Sequence, residues 1–171
     1  MTLPDGWSLR DLRDPEDREA LRRFYAETQD YILLETGEPP SEATIDELFT
    51  NAPPGQDPSS CIRLGLFDPD GQIKGTAEQS FGYPNPTSSY IGLVMLAPSL
   101  RRQKIGSTIF EVLLENAKQR GSTEMFIAVL DANPKGRAFW ESMGFEYELS
   151  TDPITSGSAT HVRHRLRRPI A

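Results

Sequence analysis

The stretch from Tyr90 to Gly144 constrains this chain more than any other. It opens on an apolar run, Tyr90-Ile91-Gly92-Leu93-Val94-Met95-Leu96. A short apolar run bounded by a breaker reads as a buried strand, and Pro98 ends this one. A basic loop follows, Arg101-Arg102-Gln103-Lys104-Ile105-Gly106-Ser107. Apolar residues then recur at Ile105, Ile109, Val112, Leu113 and Ala117, the spacing of one helical face. Gly121 stands where that helix should stop. Met125-Phe126-Ile127-Ala128-Val129-Leu130 reads as a second buried strand. Asn133-Pro134 starts a shorter helix, with proline at its first position. That helix carries Phe139 and Trp140 and ends at Gly144.

The basic loop sits at a helix start, where the macrodipole favours carboxylates. Here stand Arg101, Arg102 and Lys104, with no acid before Glu111. Such an array repels itself unless an anion lies among the cations. Free backbone N–H groups at a helix start can hold a phosphate, and Gly106 leaves the backbone open to close approach. A solvated basic turn with a well-packed glycine accounts for the same residues, so the charge pattern leaves both readings open. The chain as a whole carries a formal net charge of −7. The cluster therefore runs against the global balance, and that balance argues against a nucleic-acid partner.

Taken in order, the chain begins with a strand over Trp7–Arg13. Asp14-Pro15-Glu16-Asp17 reads as a cap, a first-turn proline and two acids, opening a helix that runs to about Glu35. Thr36-Gly37-Glu38-Pro39-Pro40 breaks it, and Ser41-Glu42-Ala43-Thr44 starts a second helix. Residues 51–60 form a loop. Cys61–Phe67 and Gln72–Phe81 are strands joined by the turn Asp68-Pro69-Asp70-Gly71. Beyond the central stretch, Phe145–Leu149 and Ala159–Arg167 read as a final antiparallel pair. The 171 residues suit one domain spanning 1–171, long enough for a real core. No window approaches the roughly 18 apolar residues of a membrane span. Met1–Gly6 lack the features of a signal peptide, and one cysteine suits a reducing, cytoplasmic setting.

Two blocks carry a family resemblance. Leu96-Ala97-Pro98-Ser99-Leu100-Arg101-Arg102-Gln103-Lys104-Ile105-Gly106-Ser107 resembles the acetyl-CoA pyrophosphate loop of GNAT-superfamily N-acetyltransferases, Arg/Gln-x-x-Gly-x-Gly/Ala after a strand. Arg101 and Gly106 match its ends, and Lys104 replaces the usual middle glycine. Asn133-Pro134 through Phe139-Trp140-Glu141-Ser142-Met143-Gly144-Phe145 resembles the second block, Asn-x-x-Ala-x-x-Phe-Tyr-x-x-x-Gly-Phe. Gly136 replaces its alanine and Trp140 its tyrosine. The resemblance implies an α/β (α+β) fold. A mixed, mostly antiparallel sheet of about seven strands would be flanked by about four helices.

It also implies transfer of an acetyl group from acetyl-CoA to a primary amine of a small molecule or peptide. The backbone of Val94, Met95 and Leu96 would pair with the pantetheine arm. Arg102, Gln103, Lys104, Ile105, Gly106 and Ser107 would cradle the pyrophosphate, with Arg101 and Lys104 adding charge. Asn133 would bond the cofactor arm, and Phe139 and Trp140 would pack near its thiol, unless they are plain core. An ammonium must lose a proton before it can attack, and Glu78 is the candidate base. Where the family uses a tyrosine as acid, Trp140 cannot serve, because indole N–H only donates. Tyr31, Tyr83 and Tyr90 are the alternatives, with Tyr90 nearest the cofactor strand in sequence. Family members wall the acceptor site with the first two helices, so Tyr31, Glu35 and Glu38 would meet the acceptor. Because of Lys104 and Trp140, a CoA-binding module without catalysis is the second hypothesis.

The remaining features point elsewhere. His161 and His164 would face opposite sides of one strand, and with a single cysteine no metal site is expected. Cys61 reads as a small buried residue. Arg163, Arg165 and Arg167 alternate like a solvated or edge face. No Gly-x-x-x-x-Gly-Lys-Ser/Thr occurs, so nucleotide hydrolysis has no support. The terminal strands would leave edges able to pair across a homodimer.

Overall fold

The computed structural model describes residues 2–171. The strands are β1 (Ser8–Asp11), β2 (Ile62–Phe67), β3 (Ile73–Phe81), β4 (Ser88–Leu96), β5 (Glu124–Leu130), β6 (Glu146–Ser150), β7 (Ile154–Ser156), β8 (Ala159–His161) and β9 (Arg163–Pro169). The helices are α1 (Arg18–Glu27), α2 (Gln29–Thr36), α3 (Glu42–Thr50), α4 (Ile105–Gln119) and α5 (Pro134–Ser142). Seven strands form one sheet in the order β1-β2-β3-β4-β5-β9-β6, and β7 and β8 make a separate hairpin. Within the large sheet only β4 and β5 run parallel.

Alternation along β3 divides the core. Ala77 and Gln79 face α4, where Gln79 Nε2 donates to the Leu113 carbonyl at 2.8 Å. Ile109, Leu113, Met125, Ile127 and Leu166 fill that side. Thr76, Glu78 and Ser80 face the other way, toward a second cluster of Leu21, Phe24, Ile45, Leu48 and Met95. Val112, expected on the buried face of α4, is exposed. Thr108 and Phe110 are buried instead, because the helix rolls its seam toward α5.

The first predicted helix departs from expectation at both ends. Asp14–Asp17 is a turn, and α1 starts at Arg18. Asp17 is buried there, accepting from both Arg10 terminal nitrogens at 2.9 Å and from the Arg13 N–H at 2.7 Å. The Arg10 guanidinium holds its carboxyl below the usual range. At the far end the helix breaks at Thr28, whose φ of −120° and ψ of 46° leave helical geometry. Its N–H closes α1 on the Phe24 and Tyr25 carbonyls. The break lets α1 pack on β3 while α2 reaches β7 and β8.

The last strand also differs. Ala159–His161 belongs to the small hairpin, and only Arg163–Pro169 enters the large sheet. It lies between β5 and β6, so the edges are β1 and β6 rather than the C-terminal strand. Two of its arginines pair with acids, Arg165 with Glu148 and Arg167 with Glu124, each at 2.6 Å. His161 and His164 fall on different strands. Cys61 is half-buried at the mouth of β2 rather than in the core.

Candidate active site

β4 carries one extra residue. Glu78 pairs with Leu93 and Gln79 with Ile91, so Gly92 bulges out of the β3–β4 ladder. The β4–β5 pairing ends at Ile91–Ile127. Beyond it β4 stays with β3, through Leu96, and β5 stays with β9, through Leu130. The two parallel strands therefore part. Leu93, Val94, Met95 and Leu96 have no strand partner on the side toward β5. The sequence read these residues as a plain strand, although a glycine inside an apolar run is a bulge signal.

The loop below this wedge leaves its backbone donors unpaired. Arg102 and Lys104 both adopt φ of +63°, the left-handed region that favours glycine. The usual middle glycine of the motif thus has its conformational counterpart in Lys104, which precedes the first residue of α4. Among the described residues, no backbone N–H from Arg102 through Ser107 donates a hydrogen bond; the first to do so is Thr108. Consecutive free N–H groups in such a turn form a concave anion site, and the helix dipole adds to it. At Gly106 an added Cβ would lie 3.2 Å from Phe139 Cζ. Its glycine thus lets the Phe139 ring settle on the first turn of α4.

Several residues expected here do something else. Arg101 is turned away from the loop: its guanidinium chelates Asp30 in the first turn of α2, with Nη2 to Oδ1 at 2.9 Å. Its Nε donates to the Leu96 carbonyl at 3.1 Å. It ties the loop to α2 instead of offering free charge. Gln103 Nε2 bonds the Ser99 carbonyl, and the Ile105 side chain is buried in the core. Asn133 Oδ1 caps α5 by accepting the Gly136 N–H at 3.0 Å. A Cβ at residue 136 would lie 2.4 Å from Asn133 Nδ2, so glycine in place of alanine goes with this cap. Met95 is buried toward α1–α3, whereas Val94 and Leu96 pack on the α4 side.

Phe139 and Trp140 are one residue apart, about 100° around a helix, so they cannot share a face. Phe139 takes the α4 turn. Trp140 is buried among Phe110, Phe139 and Phe145 in edge-to-face contacts, with centroids 4.9–6.1 Å apart. It is core rather than part of the wedge. We therefore expect Trp140→Phe to lower stability by about 1–2 kcal/mol through the cavity it leaves, with turnover within about tenfold of wild type. Urea denaturation beside steady-state rates decides this; a thousandfold drop in turnover in the folded variant would sink it.

On the α1–α3 side of the wedge stands a carboxylate cluster. Glu78 lies against the bulge, its Oε2 3.7 Å from where a Cβ on Gly92 would be. Burial raises its pKa to about 7, with Arg63 opposing and Glu35 adding to the rise. Arg63 Nε is 3.8 Å from Glu78 Oε1, yet its donors go to the carbonyls of Leu48, Pro58 and Asn51. Glu35 is also held up, first by burial, and lies 3.8 Å from Arg163. The Tyr31 and Tyr90 hydroxyls are pushed upward, again mainly by burial. Tyr90 meets Tyr83 edge-to-face at 5.3 Å. Glu38 is exposed. Arg63, Arg163 and Asp30 had no signal in the sequence, because each acquires its place through strand register or a helix break.

The fold matches known proteins. A model of the acetyltransferase (GNAT) family fits residues 10–145. The chain belongs to the GNAT acetyltransferase family. An acetyltransferase from Thermus thermophilus superimposes with a TM-score of 0.75 at 21% identity, covering 95% of this chain and 96% of that one. The ribosomal-protein-S18-alanine N-acetyltransferase of Escherichia coli gives 0.69 at 18%, covering 96% and 94%. A GNAT acetyltransferase of Staphylococcus aureus gives 0.68 at 14%, covering 96% and 99%. No curated protein sequence matches the chain. Among the described residues the GNAT fold has five α-helices, the first expected helix being split at Thr28. Among the described residues, no helix is long and apolar enough to cross a membrane.

Proposed function

We propose that this GNAT protein transfers an acetyl group from acetyl-CoA to a primary amine of a small molecule or peptide. The observation that carries the reading is the parting of β4 from β5 at the Gly92 bulge, beside a half-buried Glu78 whose pKa burial raises to about 7. A base works best when its pKa lies near the operating pH. The chain's features suit acetyl-CoA: six free N–H groups for a pyrophosphate, and an unpaired β4 segment for the amides of the pantetheine arm. When bound, acetyl-CoA supplies a thioester already activated for acyl transfer.

The residues of this chain do the rest. Glu78 receives a proton from the acceptor ammonium on a carboxylate oxygen. The amine is then free to attack. Glu35, with Arg163 beside it, presents negative charge from α2 toward an incoming cation. Tyr90 keeps its proton at neutral pH because burial disfavours phenolate, so its hydroxyl is available as a donor to the leaving sulfur. Arg101 holds α2 against the loop through Asp30.

The test is a panel of primary amines, from diamines and amino acids to peptide N-termini, incubated with acetyl-CoA while free thiol is followed. Amine-dependent thiol release, with an acetylated product of matching mass, is the expected result. Thermal stabilisation by CoA without thiol release from any amine would overturn catalysis and leave a CoA-binding module. Absence of CoA binding altogether would overturn both.

A further inference from the structure

The C-terminal end of α2 is held by residues from far along the chain. The last carbonyls of a helix have no partners within it. In α2 the Leu33 carbonyl accepts the Gly37 N–H at 2.8 Å. Two more contacts come from the β7–β8 hairpin. The Ser158 N–H donates to the Thr36 carbonyl at 2.8 Å, and His161 Nε2 lies 2.7 Å from the Leu34 carbonyl oxygen. Gly157 has a φ of +59°, and an added Cβ there would lie 2.5 Å from the Thr36 oxygen. The hairpin is thus fitted closely to this helix end.

His161 also faces a second acceptor. Its Nδ1 lies 3.2 Å from Oδ1 of Asp131, the residue after the end of β5. A carbonyl and an ionised carboxylate can only accept. A neutral imidazole has one N–H, so it serves one of them and turns a lone pair toward the other; the imidazolium serves both. A cation suits the place, because a helix C-terminus favours one and α2 has no basic residue in its last turn. The charged groups around the ring are Asp131 after β5, Glu35 on α2 and Arg163 on β9. β7, which pairs Ile154 with His161, carries none. Glu35 follows Leu34 in the chain, and it acts electrostatically on Glu78. His161 therefore joins the hairpin, the helix that carries Tyr31 and Glu35, and the β5 arm of the wedge.

We propose that His161, with a proton on each ring nitrogen, clasps α2 to the end of β5 and so fixes Glu35 for the acceptor, and that loss of one of these protons opens the clasp. Only the part that concerns the acceptor rests on the proposed acetyl transfer. Histidine is the side chain whose charge ordinarily changes between pH 5 and 8. In the neutral ring one of the two contacts sets a lone pair against an oxygen. Either α2 or β5 is then released. His161 is a positioning residue: it touches Leu34 and Asp131, not the acceptor.

The experiment has two readouts. The first is nitrogen-15 NMR of protein labelled in the histidine rings, at pH 6. The chain has two histidines, and the His161 signals are those missing from His161→Gln. Two ring N–H protons that exchange slowly with solvent are expected from His161; one or none overturns the clasp. The second is steady-state kinetics with acetyl-CoA and the best amine of the panel above, at pH 6 and pH 8. At pH 6 His161→Gln should raise the acceptor KM about tenfold over wild type, the scale of one hydrogen bond to a charged group. At pH 8 the two should agree within about twofold. KM for acetyl-CoA should stay within about twofold throughout. Taking the variant-to-wild-type ratio cancels the titration of Glu78 and of the amine. Asp131→Ala leaves the ring a single acceptor, which the neutral form can serve, so this variant's own acceptor KM should lack the extra rise with pH that the clasp gives wild type. An acceptor KM ratio for His161→Gln that is the same at both pH values, or near one at both, overturns the proton-dependent positioning. Absence of turnover with every amine ends the proposed function and the acceptor half of this proposal with it, while the ring signals still decide the clasp.

Discussion

Glu78→Gln should lose turnover and gain stability at once. Loss of a general base typically costs about 10²–10⁴ in rate. The stability effect follows from linkage. In the folded protein the carboxyl holds its proton up to about pH 7, against an ordinary value of 4.5. Folding is therefore favoured by the protonated form. That contribution is fully present below 4.5 and is lost as pH rises through 7. A displacement of this size corresponds to on the order of 3 kcal/mol, an upper figure for a side chain 16% exposed. Glutamine imitates the neutral acid at every pH. The variant should match wild type near pH 4 in urea denaturation and exceed it by about 2–3 kcal/mol at pH 8. Wild-type kcat should climb with pH through a midpoint near 7. Equal stability of the two proteins at pH 8 would mean that Glu78 is not desolvated.

Gly106→Val should cost at least about a hundredfold in CoA affinity. Losing two hydrogen bonds to a charged phosphate, at about 1.5–3 kcal/mol each, accounts for that factor. The valine side chain would start 3.2–3.3 Å from the Phe139 ring and 3.8 Å from Leu96 Cδ1. Phe139 cannot yield freely, because its ring rests edge-on against Trp140 at 4.9 Å. The first turn of α4 must shift, and the free N–H groups shift with it. Arg101→Ala should weaken CoA by less than about tenfold, since its guanidinium is engaged by Asp30 as an exposed pair. Calorimetric titration of both variants, with circular dichroism to confirm folding, checks the order. Wild-type CoA affinity in Gly106→Val would place the pyrophosphate elsewhere.

Much of this fold was legible in the sequence. Pro98, Gly121, Asn133-Pro134 and the turn at Asp68–Gly71 punctuate the chain where its elements end, because each restricts backbone conformation locally. The basic loop at the start of α4 was also legible, since clustered cations are a local feature. What stayed hidden depends on partners distant in sequence. Asp30 and Arg101 are 71 residues apart. Nothing near Arg101 says that its charge is already engaged. The break at Thr28 leaves no breaker residue to read, and the insertion of β9 between β5 and β6 is a matter of topology. Whether Trp140 packs in the core or beside the cofactor was left open by the motif, because it aligns positions along the chain but does not give the roll of the helix. Glu78 could be named from its strand, but its pKa comes from α1, α2 and β2 closing over it.

The position of β9 has a consequence for how the molecule is made. β5 and β6 are both synthesised before the strand that joins them. Until β9 docks, β5 presents an open edge of Glu124–Leu130, most of it apolar. An apolar strand with unpaired N–H and C=O groups is a template for pairing with another chain. A folding chain is thus most exposed to aggregation before β9 is in place. Leu166→Ala, which weakens the docking of β9, should lower the soluble yield on refolding more than an equally destabilising substitution within α4, where the helix satisfies its own backbone.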